Sequence, residues 1–386
     1  MSKLDELINE LCPDGVEYKT VQSISRRIIS GGTPKTGRDE FYGGDIPWLR
    51  TQEVDFKDIH DTGIKITQLG LENSSANWIP SNCVIIAMYG ATVGKVAINK
   101  IPMTTNQACC NIEIDDTQAM YRYVFHFLCS QYSYVKSLGQ GSQTNINAQI
   151  VKSLVIPVPP LPVQSEIVRI LDNFTELTAE LTAELTARKK QYEYYCKNFF
   201  EFSDSYDIKT AKLHEIADIG TGSSNTNEQL VVGEYPFFVR SQEVRRKNDY
   251  EYDETAIITS GDGVGVGKIF HFVEGKYALH QRAYRIHITD PQVIPKYFFY
   301  YMKSTFYEYI QKNAVNSSVT SVRRPMMINY IVPIPTLQEQ QRIIDTLDRF
   351  DTLCNDISIG LPAEIEARKK QYEYYRDKLL TFKELS

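Results

Sequence analysis

Histidine, cysteine and an excess of basic residues are what this chain lacks. Of 386 residues, six are His and seven are Cys, and the formal charge is −6 at pH 7. The cysteines (Cys12, Cys83, Cys109, Cys110, Cys129, Cys196 and Cys354) contain no C-x-x-C pair. That spacing argues against a disulfide framework or a structural zinc site and for reduced, mostly buried thiols. Long apolar runs are missing as well: stretches such as Val84–Met88 are far too short to span a bilayer. Met1–Leu7 holds no apolar leader core, so a cytoplasmic location with no membrane partner is expected. The acidic balance argues mildly against a nonspecific nucleic-acid binder, although a basic patch can sit on an acidic protein. With 21 Gly and 16 Pro the chain is neither collagen-like nor low-complexity, and 42% apolar with 23% charged residues is ordinary for a globular protein. The length makes two domains the default.

Catalytic motifs are also wanting. Gly261-Asp262-Gly263-Val264-Gly265-Val266-Gly267-Lys268-Ile269 resembles a phosphate loop, but Asp262 stands where Gly is needed and Ile269 where the magnesium-ligating Ser or Thr belongs. A Gly-rich turn is the better reading. Pro13-Asp14-Gly15 through Lys19 only superficially resembles a metal-dependent nuclease signature and reads as a turn. No H-E-x-x-H, no G-x-S-x-G and no Asn-Pro-Pro-aromatic tetrapeptide occurs. No catalytic residue and no metal ligand is assigned.

What the sequence does contain is an internal duplication. Ala187-Arg188-Lys189-Lys190-Gln191-Tyr192-Glu193-Tyr194-Tyr195 recurs unchanged as Ala367–Tyr375. Upstream, Ile156-Pro157-Val158-Pro159 matches Val332-Pro333-Ile334-Pro335, and Leu171-Asp172-x-Phe174 matches Leu347-Asp348-x-Phe350. Fainter matches precede them. Trp48–Val54 pairs with Phe238–Val244, Val93–Val96 with Val266–Ile269, Gln107–Ile112 with Gln281–Ile286, and Thr144–Ile146 with Thr320–Val322. The chain reads as globular unit, helical region, globular unit, helical region, with boundaries at 1–155, 156–204, 205–331 and 332–386.

In the first helical region, Ile167, Ile170, Leu171, Phe174, Leu177, Leu181 and Leu185 recur at spacings of three and four and define one apolar stripe. Prolines precede it, and Thr-Ala-Glu-Leu occurs twice from Thr178 without Gly or Pro. One helix of roughly 60 Å, at about 1.5 Å per residue, is expected from Leu161 to Phe200. The second copy carries an insertion around Ser358-Ile359-Gly360-Leu361-Pro362, which should break its helix. The two stripes are expected to pair as an antiparallel coiled coil about a pseudo-twofold axis; a hairpin within an ordinary core is the alternative.

The globular units mix short β-rich runs with one helix each, at Ala119–Leu138 and Lys296–Lys312, in the same order, an α+β pattern. Their loops are rich in Gly, Ser, Thr, Asn and Gln, which suit turns and also suit phosphates and base edges. The clusters Arg245-Arg246-Lys247 and Arg323-Arg324, with Arg282 and Arg285, give the second unit the clearer basic character.

The duplicated Ala-Arg-Lys-Lys-Gln-Tyr-Glu-Tyr-Tyr blocks, the Thr-Ala-Glu-Leu repeats, the Pro-rich helix starts and Leu11–Tyr18 resemble the specificity subunit of type I restriction–modification systems, in particular the subgroup whose spacer helix varies by whole tetrapeptides. The resemblance implies two target-recognition domains, each reading half of a split, asymmetric site in double-stranded DNA. It also implies helical regions that set the gap and dock two methylation subunits, which restriction subunits then join. The subunit would be non-catalytic and bind no cofactor; S-adenosylmethionine, ATP and Mg would serve its partners in adenine methylation and ATP-dependent cleavage.

Candidate DNA contacts in the first unit are Thr33, Lys35, Arg38, Arg50, Gln52, Lys95, Gln107, Gln143, Thr144 and Asn145. In the second they are Arg240, Gln242, Arg245, Arg246, Lys268, Gln281, Arg282, Thr320, Arg323 and Arg324. All are expected in loops. Tyr192, Tyr194, Tyr195, Tyr372, Tyr374 and Tyr375 are candidates for partner docking, the alternative being packing between the helices. The rival classes are a two-module protein scaffold that binds no DNA and a self-contained DNA enzyme, which would need a cofactor motif the sequence lacks.

Overall fold

The computed structural model describes residues 2–139, 145–201, 208–263, 265–313 and 321–385. The chain forms two compact units, the first comprising Met1–Glu180 with Ile365–Ser386 and the second Leu181–Glu364. Each unit is therefore completed by one of the duplicated Tyr-rich blocks, and in each case it is the block from the other half of the sequence.

In unit 1 a five-stranded sheet has the order Ser25–Ser30, Cys109–Ile114, Val84–Ala87, Val96–Asn99, Lys57–Ile59, and a three-stranded sheet the order Lys65–Ile66, Tyr42–Leu49, Thr104–Thr105. Unit 2 has a six-stranded sheet: Ala217–Thr221, Ala283–Ile288, Tyr252–Ser260, Phe270–Leu279, Tyr235–Phe238, Arg245–Lys247. Phe270–Leu279 runs unbroken where unit 1 has two strands, Val96–Asn99 and Thr104–Thr105, because Pro102 between those two has no N–H for a ladder.

The sequence reads Ala119–Leu138 as one helix, but the chain forms two, Tyr121–Ser130 and Tyr132–Ser137. Ser130 Oγ donates to the Phe127 carbonyl (2.7 Å) and competes with the helix ladder at the break. Its counterpart Pro295–Lys312 is a single helix with Pro at its first position.

The duplication is visible bond by bond. Gln164, fully buried, accepts from Met120 N (2.8 Å) and donates to the carbonyls of Pro159 (2.7 Å) and Gln118 (3.3 Å). Gln340, also fully buried, accepts from Ile294 N (2.8 Å) and donates to Pro335 O (2.9 Å) and Gln292 O (2.8 Å). Tyr123 Oη donates to Pro157 O and Tyr297 Oη to Pro333 O, both at 3.0 Å. These bonds lock the strand, the helix and the start of the helical region together in each unit.

The first helical region is one helix, Leu161–Asn198, about 57 Å long at about 1.5 Å per residue. Its threonines are tolerated because Thr175, Thr178 and Thr186 donate to carbonyls four residues back. The second region is two helices, Leu337–Asn355 and Leu361–Leu379. Between them Asp356 Oδ1 accepts from Ser358 N and Ile359 N, and a Cβ at Gly360 would lie 2.5 Å from Thr352 O.

Of the six tyrosines considered for docking, four contribute to packing within their own units. In unit 1, Tyr375 stacks on Phe174 with centroids 5.4 Å apart, and Tyr372 Oη lies 3.1 Å from His126 Nδ1. In unit 2, Tyr192 and Tyr195 lie 6.3 and 5.3 Å from Phe350. Tyr194 and Tyr374 are 63% and 62% exposed, so these two present rings outward. Among the described residues no helix is long and apolar enough to cross a membrane.

Candidate nucleic-acid interface

The matching loops of each unit converge on the end of its sheet, held by the same backbone bonds. In unit 1, Met88 N donates to Ala108 O (2.8 Å), Ile146 N to Met88 O (3.0 Å), Asn106 N to Leu49 O (2.9 Å) and Gly32 N to Thr105 O (2.9 Å). In unit 2, Gly261 N donates to Arg282 O (2.9 Å), Val322 N to Gly261 O (2.8 Å), His280 N to Phe238 O (2.9 Å) and Ser224 N to Leu279 O (3.2 Å). Five chain segments thus meet at one place in each unit.

This framework brings the candidates together. In unit 1, Thr33 Oγ1 is hydrogen-bonded to Gln107 Oε1. Arg50 follows the strand ending at Leu49, its Nε buried and unpaired among the described residues. Gln52 is exposed in the short turn Thr51–Glu53, and Asn145, whose Oδ1 is likewise unpaired, adjoins the Ile146–Met88 bond. Lys95 is engaged by Asp55 at 2.7 Å, and Arg38 by Glu40 at 2.5 Å. Lys35 is exposed. Gln143, Thr144 and Thr320 lie outside the described residues.

In unit 2, Gln281 Nε2 donates to Asn225 Oδ1 (2.5 Å), so Asn225 occupies the place of Thr33. Sequence reasoning missed Asn225 because the two N-terminal segments share no readable motif. A cavity of about 620 Å³ is lined by Arg240, Gln242, Arg245, Asp262 and Lys268 among others. A second, of about 360 Å³, is lined by Asn225, Arg240, His280, Gln281 and Arg282. Arg240 borders both. Its Nη1 donates to Asp262 Oδ1 at 2.6 Å, and Arg282 Nη1 lies 3.3 Å from Asp262 Oδ2. Burial opposes the Asp262 charge, but Arg240 and Arg282 hold its carboxyl below the usual range. Burial, reinforced by the same two arginines, lowers the pKa of His280, which keeps the imidazole neutral. Ser321 bridges to Asp262, which brings the exposed Arg323 and Arg324 alongside.

Three expectations need correction. Arg245 and Arg246 lie in the edge strand Arg245–Lys247 rather than a loop. Within that cluster Arg245 is tied to Glu243 (3.0 Å) and Lys247 is buried against Glu228 (2.7 Å), which leaves Arg246 exposed. Arg324 is likewise the first residue of the helix Arg324–Ile328, with Arg323 as its cap. Arg285, counted with the basic patch, is buried and paired with Glu254 (3.1 Å) and Asp218 (2.7 Å). The sheet register also shifts one match: Trp48 faces Thr104 and Phe237 faces Ala278, so Trp48 corresponds to Phe237, not Phe238. Arg240 consequently leaves its strand one residue later than Arg50.

No group of His, Cys, Asp and Glu among the described residues could hold a metal ion. Burial pushes the Cys83 and Cys110 thiols up to about 12, so both are unreactive.

Comparison with known proteins places this geometry. Residues 13–188 and 206–367 each match the type I restriction modification DNA specificity domain. The specificity subunit of the Escherichia coli EcoR124I/EcoR124II type I restriction enzyme is 33% identical over 294 residues, covering 69% of this chain and 72% of that protein. A putative type I specificity subunit of Haemophilus influenzae is 29% identical and covers 95% of this chain and 96% of its own. The crystal structure of the S subunit from M. genitalium superposes with a TM-score of 0.61 at 14% identity, covering 95% of this chain and 96% of that one. Two specificity domains on one duplicated α+β scaffold, each with its loops gathered at a sheet end, make this chain a member of the type I restriction–modification DNA specificity subunit family.

Proposed function

We propose that unit 1 and unit 2 each read one half of a bipartite, asymmetric double-stranded DNA target, and that the helical regions set the gap between the halves and dock two methylation subunits. The observation that carries this reading is the pair of loop clusters: the same backbone bonds frame both, while side chains at matched places differ, Thr33 against Asn225 and Ala108 against Arg282. A shared frame with divergent lining is what two readers of different sequences require. In unit 1 the reading side chains are Arg50, Gln52, Gln107, Thr33 and Asn145, with Lys35 on phosphate. In unit 2 they are Arg240, Gln281, Arg282 and Gln242, with Arg246, Lys268, Arg323 and Arg324 on phosphate.

The chain itself performs no chemistry in this reading. The methylation subunits carry S-adenosylmethionine and modify adenines flipped from the stack; restriction subunits use ATP and Mg. The outward Tyr194 and Tyr374 belong to the docking surface, the complex is cytoplasmic, and the Thr-Ala-Glu-Leu repeats adjust the spacer. A methylome map of cells expressing this chain with its methylation subunit tests the reading. A split, adenine-methylated motif is expected. A stable complex that produces no new motif overturns it in favour of a scaffold.

A further inference from the structure

The two loop clusters differ in charge at one matched position. Met88 and Gly261 occupy the same place: each donates to a carbonyl on the strand-leading loop (Ala108 O or Arg282 O) and accepts from the segment that precedes the last short helix (Ile146 N or Val322 N). The next residue is Tyr89 in unit 1 and Asp262 in unit 2. Tyr89 is 39% exposed. Asp262 instead bridges two guanidiniums, Arg240 at 2.6 Å and Arg282 at 3.3 Å. Among the described residues unit 1 has no comparable pair: Tyr89 stands at the Asp262 position and Ala108 at the Arg282 position.

We propose that Asp262 is a positioning residue for DNA specificity: it fixes Arg240 and Arg282 as a paired donor surface for a guanine in the half-site read by unit 2. The proposal rests on the reading of unit 2 as a DNA-reading domain. Among the described residues each guanidinium bonds through Nη1 alone, so the rest of each fork is available. Paired guanidinium N–H donors match the O6 and N7 acceptors of guanine in the major groove. A carboxylate at the centre of the pair disfavours the alternative occupant, a phosphate, by charge repulsion. The space on both sides of Arg240 admits a base edge. Unit 1, with Tyr89 and Ala108 at these places, has no such pair, so the two units read unlike sequences from one frame.

The test uses the assembled methyltransferase containing the full chain, with methylome mapping and a binding selection on randomised half-sites. Arg240→Ala and Asp262→Asn are each expected to make one guanine of the unit 2 half-site degenerate, with discrimination reduced about tenfold or more. Asp262→Glu should restore it, Arg240→Lys should not, and Arg50→Ala should alter the other half-site only. Melting curves confirm that each variant is folded. Four results overturn the proposal, each differently. An even loss of methylation with the motif intact makes Arg240 a phosphate contact and leaves the DNA reading standing. Degeneracy from Arg240→Ala but not Asp262→Asn removes the positioning role. No change in level or motif from either variant takes the cavity away from DNA altogether. No split motif from the unaltered complex refutes the underlying reading before any variant is made.

Discussion

Replacing Gln164 by Leu keeps the side chain's volume close to native and removes its hydrogen bonds. The amide is fully buried and joins three backbone groups: Met120 N, Pro159 O and Gln118 O. A buried N–H left without a partner costs about 1–3 kcal/mol, and each lost bond to a carbonyl about 0.5–1.5 kcal/mol net. The expected loss is about 2–6 kcal/mol, confined to unit 1. For a domain near 200 residues, about 2–4 °C accompanies each kcal/mol, so the unit 1 melting step should fall by roughly 5–25 °C. Gln340→Leu should do the same to unit 2, where Ile294 N, Pro335 O and Gln292 O lose their partner. The two glutamines share no partner, so the double variant should be additive within about 0.5 kcal/mol. Differential scanning calorimetry of the two single variants and the double variant measures all three. A loss below about 0.5 kcal/mol for either glutamine would refute the argument that these clamps hold each unit together.

Leu380→Ala should destabilise unit 1 by about 2–4 kcal/mol and leave unit 2 unchanged, because Leu380, 4% exposed, packs in the core of Leu4, Cys12 and Val16; calorimetry showing an equal loss in unit 2 contradicts the division of the chain. His126 is buried between Asp172 at 2.8 Å and Tyr372 at 3.1 Å, with Arg122 beside it and Arg376 nearby, and burial lowers its pKa. Below its unfolded value near 6.5 the unfolded chain binds the proton first, so stability should fall as pH drops from about 6.5, by at most about 1.4 kcal/mol per unit for one group. Chemical denaturation of His126→Gln should show a shallower pH slope than the unaltered chain, and parallel slopes count against the assignment. Deleting Thr182–Leu185 shortens the helix by about 6 Å, or one to two base pairs at roughly 3.4 Å each. The methylated motif should keep both half-sites and lose gap length, and an unchanged gap contradicts the spacer role.

The helical regions were the most legible part of the sequence, because periodic apolar residues and an exact repeat leave little room for another structure. The break at Ser358–Pro362 follows from residues whose backbone limits are local. What remained hidden is set by contacts distant in sequence. Gln164 and Gln340 look like surface residues of a helix start, and only the fold reveals the three backbone groups each one satisfies. Arg285 reads as part of a basic patch until Asp218 and Glu254 arrive from other strands. Lys247 is withdrawn in the same way by Glu228. Charge clusters in sequence count cations; the fold decides which of them already have anions.

The position of the Thr-Ala-Glu-Leu repeats carries a consequence for how such a chain can change. From Asp172 to Phe199 no residue is buried, and the boundary between the two units falls within the repeats, at Glu180–Leu181. On the N-terminal side the helix is anchored by Val163, Ile167 and Leu171, and beyond the repeats the chain is anchored again at Phe200. A tetrapeptide added or removed between these anchors adds or removes one turn, about 400° of rotation at 3.6 residues per turn. It thus returns the helix faces to within about 40° of their starting orientation and disturbs neither core. Single-residue changes would turn the second anchor by about 100°. Whole tetrapeptides are the smallest steps that alter length while nearly preserving which face of the helix meets unit 2.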